Sequence, residues 1–322
     1  MKYLVSGGAG YVGSVVTAEL VAGGHDVTVL DDLSTGHRDA VPPGARLVET
    51  SITDAGDVLG AEAYDGVLHF AARSLVAESV DKPEAYWNNN VVGTVALLDA
   101  VRTHGVPRMV FSSSAAAYGD TTENPITEDL APRPTNPYGA SKVAVDLALD
   151  GYTVAHGFGA VSLRYFNVAG AHGRYGERHA VETHLIPIAL QVAAGSRESL
   201  SVYGTDYPTP DGTCVRDYVH VLDLADAHIR ALDACRPGRH EVVNLGNGRG
   251  YSVREVVETA RAVSGRTLAT VEAERRPGDP AVLVASNAKA ASLLGWSPTR
   301  DLEQMVGDAW TFAQTQTQAE PA

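Results

Sequence analysis

A tyrosine and a lysine four residues apart are the side chains best suited to carry chemistry in this sequence. Tyr138 and Lys142 belong to the segment YGASK at residues 138–142. In a helix, this spacing places both side chains on one face. Free tyrosine has a pKa of about 10, and a nearby ammonium or other positive charge favours its anionic form. The pair therefore predicts a general base, although two exposed helix residues would show the same spacing.

Three consecutive serines offer a hydroxyl to the same reaction centre. The segment SSSAAAYGD (112–120) directly follows the apolar run RMVF (108–111), so the serines fall at the end of a predicted strand. Such a cluster is compatible with a turn as well as with a reaction centre. We expect Ser112 and Ser113 to complete the strand, and Ser114 to be the hydroxyl that takes part in chemistry.

The glycine-rich segment GGAGYVG predicts a nucleotide site. Gly7, Gly10 and Gly13 lie between the first predicted strand and the first predicted helix, where they permit a tight turn and let the backbone approach a pyrophosphate. A plain glycine-rich turn would share this pattern. Asp31 ends the second predicted strand about 20 residues further on, where an acid bonds ribose hydroxyls and disfavours a 2′-phosphate. We therefore expect NAD, with Asp32 as a second candidate for this role.

Five further polar residues carry weaker signals. Asn90, in NNNVVGT, is a candidate contact in the cofactor cleft, but a capping or solvated asparagine would look the same. Arg216 in VRDY and Arg276 in RRPGD have the guanidinium fork that holds phosphate oxygens, although an isolated arginine more often forms a surface ion pair. His179 and His184 are not spaced with acids in the manner of a metal site, so we expect solvated or core histidines and no metal.

Strand and helix signals alternate through the first half of the chain. The predicted strands are 2–7, 26–32, 45–49, 66–71, 108–113 and 160–166, and the longest predicted helices are 84–103 and 139–155. Apolar strands separated by helices predict a parallel sheet covered on both faces. The expected fold class is therefore α/β, a Rossmann-type doubly wound parallel sheet with a smaller α/β C-terminal substrate domain.

The composition of the sequence changes after about residue 168. Loops rich in Gly, His, Tyr and Pro appear, followed by predicted helices near 184–195, 252–264, 287–294 and 301–314. We predict an NAD-binding domain of residues 1–167 plus about 213–248, and a substrate domain of about 168–212 plus 249–322.

Composition restricts the class of partner. The chain has 322 residues, 44% of them hydrophobic, and a net charge of −14, which argues against nucleic acid and anionic membranes as partners. No apolar stretch approaches the roughly 20 residues of a membrane span. Cys214 and Cys235 fit neither a zinc pattern nor a disulfide framework, which favours a reducing compartment. The sequence runs straight into a strand without a signal peptide, so we expect a cytoplasmic protein.

The chain resembles the extended short-chain dehydrogenase/reductase family over nearly its whole length, and within it the UDP-hexose 4-epimerases. RYFNVAGA (164–171) and DGTCVRDYVHV in the substrate half are the narrowest matches. The other matching segments are GGAGYVGS, HFAA, ESVDKP, NNVVGT, FSSSAAAYGD, PYGASK, VNLG and RRPGD. The resemblance implies an NAD-dependent isomerase that interconverts UDP-galactose and UDP-glucose through a transient 4-keto sugar. It also implies a homodimer packed through the helices at 84–103 and 139–155.

The resemblance adds roles for individual residues. It implies that Ser114 bonds the reacting sugar oxygen, that Tyr138 is the base and that Lys142 is its electrostatic partner. Together with the motifs above, it predicts cofactor contacts from Gly7, Gly10, Tyr11, Val12, Gly13, Asp31, Asp32, Ser51, Ile52, Phe70, Ala71, Ala72, Asn90, Ser112, Tyr138, Lys142 and Phe166. It predicts substrate contacts from Ser114, Tyr138, Asn167, His184, Leu185, Ser201, Val202, Tyr203, Arg216, Tyr218, Arg276 and Asp279.

Two features differ from relatives on the cofactor side. Thr50-Ser51-Ile52 stands where many such epimerases have Gly-Asp-Ile against the adenine, and Ser74 stands where some have a lysine near the cofactor phosphate. Arg73, next to Ser74, is a candidate substitute for that lysine.

On the substrate side, Leu283 falls where a residue limits the room for the C2 substituent of the sugar, and a packing leucine would look the same.

Two other functions compete with epimerisation. A nucleotide-sugar 4,6-dehydratase must also remove a C5 proton and expel water, which requires a second acid/base pair. Dehydratases that resemble this chain carry Asp-Glu directly after the catalytic hydroxyl, where this chain has Ala115 and Ala116. A catalytically silent NAD-binding regulator would be favoured by loss of Tyr138 or Lys142, and both are present. An epimerase that acts mainly on a UDP-N-acetylhexosamine is a third alternative.

Overall fold

The structure is a computed structural model that describes residues 1–179, 181–276 and 279–319. Its strands are β1 (Lys2–Ser6), β2 (Asp26–Asp31), β3 (Arg46–Glu49), β4 (Gly66–His69), β5 (Arg108–Ser114), β6 (Gly159–Tyr165), β7 (Asn167–Ala169), β8 (Leu200–Tyr203), β9 (Val215–Arg216), β10 (Tyr218–His220), β11 (His240–Leu245), β12 (Tyr251–Ser252), β13 (Thr270–Ala273) and β14 (Val282–Leu283). Each strand predicted in the first half is present, because a short apolar run there is long enough to cross a sheet that is buried on both faces.

The helices occupy the stretches between these strands. They are α1 (Tyr11–Ala22), α2 (Ala55–Ala61), α3 (Val76–Asp81), α4 (Pro83–Tyr86), α5 (Gly93–Thr103), α6 (Pro137–His156), α7 (Leu185–Ala194), α8 (Val221–Ala234), α9 (Val253–Ser264), α10 (Ala288–Leu294) and α11 (Leu302–Ala319). In the described part of the chain, none of them combines the length and the apolar character that crossing a bilayer requires.

Seven parallel strands form one sheet in the order β11-β6-β5-β4-β1-β2-β3. The strand order therefore runs outward from β1 in both directions, which confirms the predicted doubly wound parallel sheet. In such a sheet a ligand crevice opens beyond the carboxyl ends of the strands, at the point where the order reverses. Here that point lies between β1 and β4.

Helices cover both faces of the sheet. Apolar residues of α1, α8 and α10 pack on one face together with the buried Trp296, which follows α10, and α2, α5 and α6 pack on the other. A third apolar cluster joins α7, α9 and α11 and includes Ile186, Val256 and Met305. Short two- and three-stranded sheets, β7–β10, β8–β13 and β12–β9–β14, lie outside the large sheet.

One predicted helix changes its winding in the structure. The helical stretch predicted over 84–103 is confirmed, and within it α4 and α5 are joined by a π-helical segment, Trp87–Val92. Such wide turns re-aim side chains and often occur at functional sites. This one directs the buried Asn90 inward, towards α6.

The helix that carries the tyrosine and lysine has a well-defined start. The Asn136 side-chain carbonyl accepts a hydrogen bond from the Gly139 N–H at 2.8 Å, and Pro137 occupies the first helical position. A Cβ at Gly139 would lie only 2.4 Å from the carbonyl oxygen of Ala116. Glycine therefore lets the first turn of α6 approach the turn Ala115–Ala117 that follows β5.

Two contacts connect the loop after β7 to the nucleotide-binding half. The Arg178 guanidinium makes two hydrogen bonds to the Asp39 carboxylate, at 2.8 and 3.0 Å. The Tyr11 hydroxyl, at the start of α1, donates to the carbonyl of Gly170. The loop that closes one side of the crevice is therefore held against the loop that follows β2.

Candidate active site

A cleft of about 1330 Å³ lies beyond the carboxyl ends of the parallel strands. Its walls come from the loops that follow β1, β2, β4, β5 and β6, and from the loop 176–184 and the segment 279–283 in the later part of the chain. The sheet topology therefore places the glycine-rich turn, the serine cluster and the Tyr-Lys pair around one space.

The reaction centre brings the predicted hydroxyl and phenol together. Ser114 accepts a hydrogen bond from the backbone N–H of Ala116 at 3.1 Å, which fixes its side chain at the end of β5. Its hydroxyl is hydrogen-bonded to Tyr138. Lys142 donates to the carbonyl of Ser112 at 2.7 Å, and its Nζ lies 5.7 Å from the centroid of the Tyr138 ring.

Burial dominates the electrostatics of the pair. Burial raises the pKa of Tyr138, and the hydrogen bond with Ser114 only partly opposes this effect. Burial lowers the pKa of Lys142 to about 8, although the charge of Asp146 acts in the opposite direction. In the protein alone, desolvation of the phenolate therefore dominates the pKa of Tyr138. The lowering expected from Lys142 together with a nicotinamide cation stays a prediction.

A buried ion pair behind Lys142 was missed by sequence reasoning. Asp146 lies one helical turn beyond Lys142 and accepts two hydrogen bonds from Arg164, at 2.7 and 3.1 Å. Ser113 also donates to this carboxylate. Asp146 thus anchors α6 to β5 and β6, and its charge favours the ammonium form of Lys142. The continued four-residue spacing from Tyr138 through Lys142 to Asp146 was the available signal.

The glycine-rich turn, which forms a cradle at the start of α1, packs too closely on neighbouring backbone to carry side chains at two positions. Gly7 has φ +76°, and a Cβ there would lie 2.4 Å from the backbone nitrogen of Ala71. A Cβ at Gly13 would lie 2.2 Å from the carbonyl oxygen of Gly7. The turn therefore folds only with glycine, and it leaves the N-terminus of α1 open to a pyrophosphate.

The acid at the end of β2 completes this cradle. Asp31 is buried at the cleft, and its two carboxylate oxygens accept the N–H groups of Ala9 and Leu33 at 2.9 Å each. Each oxygen keeps a second acceptor position for a ribose hydroxyl. Asp32 is exposed and bonds Ser34 instead. The residues present therefore fit a dinucleotide without a 2′-phosphate, with Asp31 as the ribose acid.

The structure assigns Asn90 a different task from the predicted one. Its side-chain carbonyl accepts from the Arg73 and Asn89 nitrogens, and its amide donates to the Arg73 carbonyl and to Ser141. All the hydrogen-bonding positions of this buried amide are thus used within the protein. Asn90 does not face the cleft, and it holds the loop after β4 against α6.

The arginine predicted to bind phosphate, Arg216, is hydrogen-bonded to neighbouring carbonyls and lines the cleft. Arg216 donates to the carbonyls of Val215 and Pro280 at 2.9 and 2.8 Å, and its other terminal nitrogen is 3.2 Å from the Asp279 carboxylate. Arg216 and Asp279 both line the cleft. On the same side of the cleft, the Asn167 amide donates to the carbonyl of Asp217 at 2.7 Å.

The loop 176–184 brings four metal-type donors together. Atoms of Glu177, His179, Glu182 and His184 all lie within 4.8 Å of one another, although the sequence spacing predicted no metal. Burial opposes protonation of His184, but hydrogen bonds to Glu177 and Glu182 raise its pKa to about 10. Burial alone would raise the pKa of Glu177, whereas hydrogen bonds from both histidines lower it to about 2. The repeated Glu-x-His pattern was the signal in the sequence.

The comparison with known proteins agrees with this geometry. The profile of the NAD dependent epimerase/dehydratase family matches residues 3–246. The chain belongs to this family. It is 58% identical to the UDP-glucose 4-epimerase of Streptomyces lividans and 56% identical to that of Corynebacterium glutamicum, in each case over 97% of this chain and 95% of the relative. The crystal structure of the UDP-glucose 4-epimerase of Brucella ovis, solved with NAD, has a TM-score of 0.93 at 44% identity and covers 97% of this chain and 98% of its own.

Within this epimerase/dehydratase fold, most of the predicted residues meet at the cleft. Those that line it are Gly7, Gly10, Tyr11, Val12, Gly13, Asp31, Asp32, Ile52, Phe70, Ala71, Ala72, Ser112, Ser114, Tyr138, Lys142, Phe166, Asn167, His184, Arg216 and Asp279. Arg73, Ser74 and Leu283 also line it, as do Ala115 and Ala116. The motifs identified from the sequence therefore line one cleft, where they are close enough to act on a cofactor and a substrate bound side by side.

The remaining predicted residues lie outside the lining of the cleft. They are Ser51, Asn90, Leu185, Ser201, Val202, Tyr203, Tyr218 and Arg276. Arg276 stacks on the Tyr203 ring, with its guanidinium carbon 3.9 Å from the ring centroid, and its hydrogen bond lowers the pKa of Tyr203. Tyr218 is buried in the third apolar cluster. Residues 277 and 278 of the RRPGD motif lie outside the described residues.

Proposed function

We propose that this protein interconverts UDP-galactose and UDP-glucose by inverting the configuration at C4 of the hexose, with NAD held throughout. The observation that carries the proposal is the hydrogen-bonded Ser114–Tyr138 pair beside Lys142, in the same cleft as the glycine cradle. The named relatives, which match nearly the whole chain, are UDP-glucose 4-epimerases.

The chain's own groups can then perform the proton transfers. When bound, NAD would supply the hydride acceptor and donor for the oxidation and reduction at C4 of the sugar. Tyr138 removes the proton of the sugar 4-OH in the oxidation and gives it back to the same oxygen in the reduction. Ser114 donates a hydrogen bond to that oxygen, and Lys142 adds positive charge near the phenol. Net redox change over the cycle is zero.

Dehydratases that resemble this chain carry an additional acid and base directly after the catalytic hydroxyl, and this site lacks them at that position. The residues directly after Ser114 are Ala115 and Ala116, whose methyl groups line the cleft and transfer no protons. Removal of a C5 proton and expulsion of water need a second acid/base pair. This arrangement favours return of the hydride to C4 over elimination.

Product analysis with purified protein tests the activity directly. UDP-galactose should yield UDP-glucose until the two reach equilibrium, without added reductant. A 4-keto-6-deoxy product would show that the protein is a dehydratase, and absence of any product would favour the silent regulator.

We further propose that sugar specificity depends on Leu283. This side chain lines the cleft, and a leucine there leaves room for an N-acetyl group at C2. UDP-N-acetylgalactosamine should therefore be assayed beside UDP-galactose. Conversion of UDP-galactose alone would show that the site excludes the larger substituent.

The cofactor should be present in the protein as purified. A reaction that returns its hydride in every cycle has no need to exchange NAD, and the glycine-rich turn leaves the N-terminus of α1 open to the pyrophosphate. We expect denatured, protein-free supernatant to contain NAD at a stoichiometry approaching one per chain, although none was added. Chromatography with ultraviolet detection measures this amount. Protein that contains no NAD and becomes active only when NAD is added would contradict retention.

We propose that the protein is a homodimer packed through α6 and the segment from α4 to α5. Leu147 and Val154 lie two turns apart on α6 and are 65% and 78% exposed, and Trp87 and Val92 are exposed on the neighbouring π-helical segment. Two adjacent helical stretches with large exposed apolar side chains fit a four-helix interface between copies.

Replacing Leu147 with aspartate should weaken this dimer. A buried carboxylate without a partner costs several kcal/mol, so the dissociation constant should rise at least about tenfold, which corresponds to about 1.4 kcal/mol. Sedimentation velocity over a concentration series measures the change. Val271→Asp is the matched control, because Val271 is also exposed but lies on β13, away from α6. A wild-type protein that sediments as a monomer, or an L147D variant with unchanged dimer affinity, would contradict the proposed interface.

Domain roles and location complete the proposal. We propose that residues 1–167 with about 213–248 bind NAD, and that about 168–212 with 249–322 bind the UDP-sugar. The cleft between the large sheet and the loop 176–184 supports this division.

A net charge of −14 and two free cysteines support a cytoplasmic protein that binds neither nucleic acid nor membranes.

A further inference from the structure

The loop between β7 and α7 carries two Glu-x-His pairs that fold onto each other. His184 Nδ1 lies 2.7 Å from the Glu177 carboxylate and 2.9 Å from the Glu182 carboxylate, and His179 Nδ1 lies 3.0 Å from Glu177. The two imidazole rings are 5.3 Å apart between centroids. One donor atom from each of the four side chains thus falls within 4.8 Å of the others.

The backbone of the loop holds this arrangement. One oxygen of the Glu182 carboxylate accepts the N–H groups of Thr183 and His184, both at 2.7 Å. The carboxylate is therefore oriented by its own loop. The loop is in turn tied to the nucleotide-binding half through Arg178, which lies between two of the four residues and makes two hydrogen bonds with Asp39.

His179 contributes a shielded nitrogen to the cluster. His179 Nδ1 is buried and lies 3.0 Å from Oε1 of Glu177. His184 Nδ1 lies 2.7 Å from the same oxygen, so the two imidazoles share one carboxylate oxygen. A metal ion bound to His179 Nδ1 would replace this shared contact.

The donor set selects a class of ion. Two imidazole nitrogens with two carboxylate oxygens suit Zn²⁺ and similar divalent transition ions, whereas Mg²⁺ and Ca²⁺ prefer oxygen alone. The two carboxylates carry the charge that neutralises a divalent cation. Their side chains are only 10% and 7% exposed, while the histidines are more accessible and line the cleft, as does Glu177. An ion could therefore enter from the cleft and keep one coordination position open towards it.

We propose that Glu177, His179, Glu182 and His184 form a binding site for a divalent transition-metal ion of the Zn²⁺ type at the rim of the cleft. None of its residues belongs to the Ser114–Tyr138–Lys142 centre, although His184 is also a predicted substrate contact, so the proposal is tested by metal binding and not by turnover.

Metal titration of the NAD-containing protein tests this proposal. After treatment with a chelator and buffer exchange, Zn²⁺ is titrated in competition with a chromogenic chelator, and Co²⁺ binding is followed by its visible absorption. We expect one ion per chain and the strong visible bands of a low-coordinate Co²⁺ site. His179→Gln and Glu182→Gln should each weaken Zn²⁺ binding at least about tenfold, since loss of even an indirect partner costs 10- to 100-fold.

A matched histidine variant separates this site from adventitious surface binding. His172 is 41% exposed, close to the 42% of His184, and it pairs with a single carboxylate, Glu19. His172→Gln should retain full Zn²⁺ affinity. Equal losses in all three variants, unchanged affinity in H179Q and E182Q, or the absence of stoichiometric binding by the wild-type protein would each overturn the proposal.

X-ray absorption of the Zn²⁺-loaded wild-type protein provides a readout that does not depend on how the variants fold. The proposal requires a zinc shell with two imidazoles and carboxylate oxygens. A shell of water and oxygen without imidazole would overturn it. The outcome for UDP-galactose turnover does not affect this measurement, so a failed epimerase assay and a failed metal site are distinguishable.

Discussion

Tyr138→Phe should lower kcat about 10²- to 10⁴-fold, the range in which a positioned general acid or base contributes to rate. The variant loses the hydroxyl that exchanges a proton with the sugar 4-oxygen, and it loses the hydrogen bond to Ser114. The ring remains, so the walls of the cleft keep their shape. The affinity for the UDP-sugar, measured by calorimetry, should change only a few-fold, because the contacts proposed for the diphosphate and the uridine lie elsewhere.

The control for this variant lies on the same helix. Tyr152→Phe also removes one hydroxyl from α6, but this hydroxyl bonds Asp99 on α5 and not Ser114. Its kcat should remain close to that of the wild type. Normal turnover of Y138F combined with weak substrate binding would contradict the role assigned to Tyr138.

The second large effect concerns two glycines of α6 that differ only in their surroundings. At Gly139 a Cβ would lie 2.4 Å from the Ala116 carbonyl oxygen, whereas at Gly151, on the exposed face between Leu147 and Val154, no described atom of the same chain lies within 4 Å of that position. Gly151→Ala should stabilise the protein by about 0.5–1 kcal/mol, the usual gain for alanine over glycine in a helix. Gly139→Ala should destabilise it, because a collision with backbone costs about 1–3 kcal/mol and exceeds that gain.

Gly139→Ala should also lower the catalytic rate. Moving the first turn of α6 away from the turn Ala115–Ala117 separates Tyr138 from Ser114. A displacement of about 1 Å in a reacting group can cost about 10²-fold in rate. Thermal denaturation and initial rates of the two variants provide the test. A raised Tm in both, with unchanged kcat, would show that the approach of α6 to this turn does not position the reaction centre.

Much of the fold follows from local pattern. The apolar runs at β1, β2 and β5 are long enough for strands and are separated by helical spacing, so a parallel sheet was the expected solution. The glycine cradle and Asp31 were also predictable, because the tight turn and the acid have fixed places in such a sheet. These features depend on residues that are close in sequence.

The features that were not predicted depend on contacts between distant segments. The π-helical turn around Asn90 is stabilised by bonds to Arg73 and Ser141, which no periodicity in this stretch reveals. The pKa of Tyr138 depends on how much surrounding protein excludes water, and a motif does not contain that information. The cluster of Glu177 and His184 forms because a loop folds back on itself, and only its Glu-x-His repeat is visible in the sequence.

The bidentate pair between Arg178 and Asp39 has a consequence for how long the dinucleotide stays bound. It joins the loop that carries Glu177 and His184 to the loop that follows the ribose acid, Asp31. If NAD leaves past these loops, the pair must open first, and the residence time of the cofactor then depends on order in the loop that carries Glu177 and His184. A half-exposed pair contributes about 0.2–1 kcal/mol, which limits this coupling to about fivefold. By reciprocity, a UDP-sugar that orders the loop tightens the hold on NAD, and NAD tightens the hold on the UDP-sugar, by this same factor.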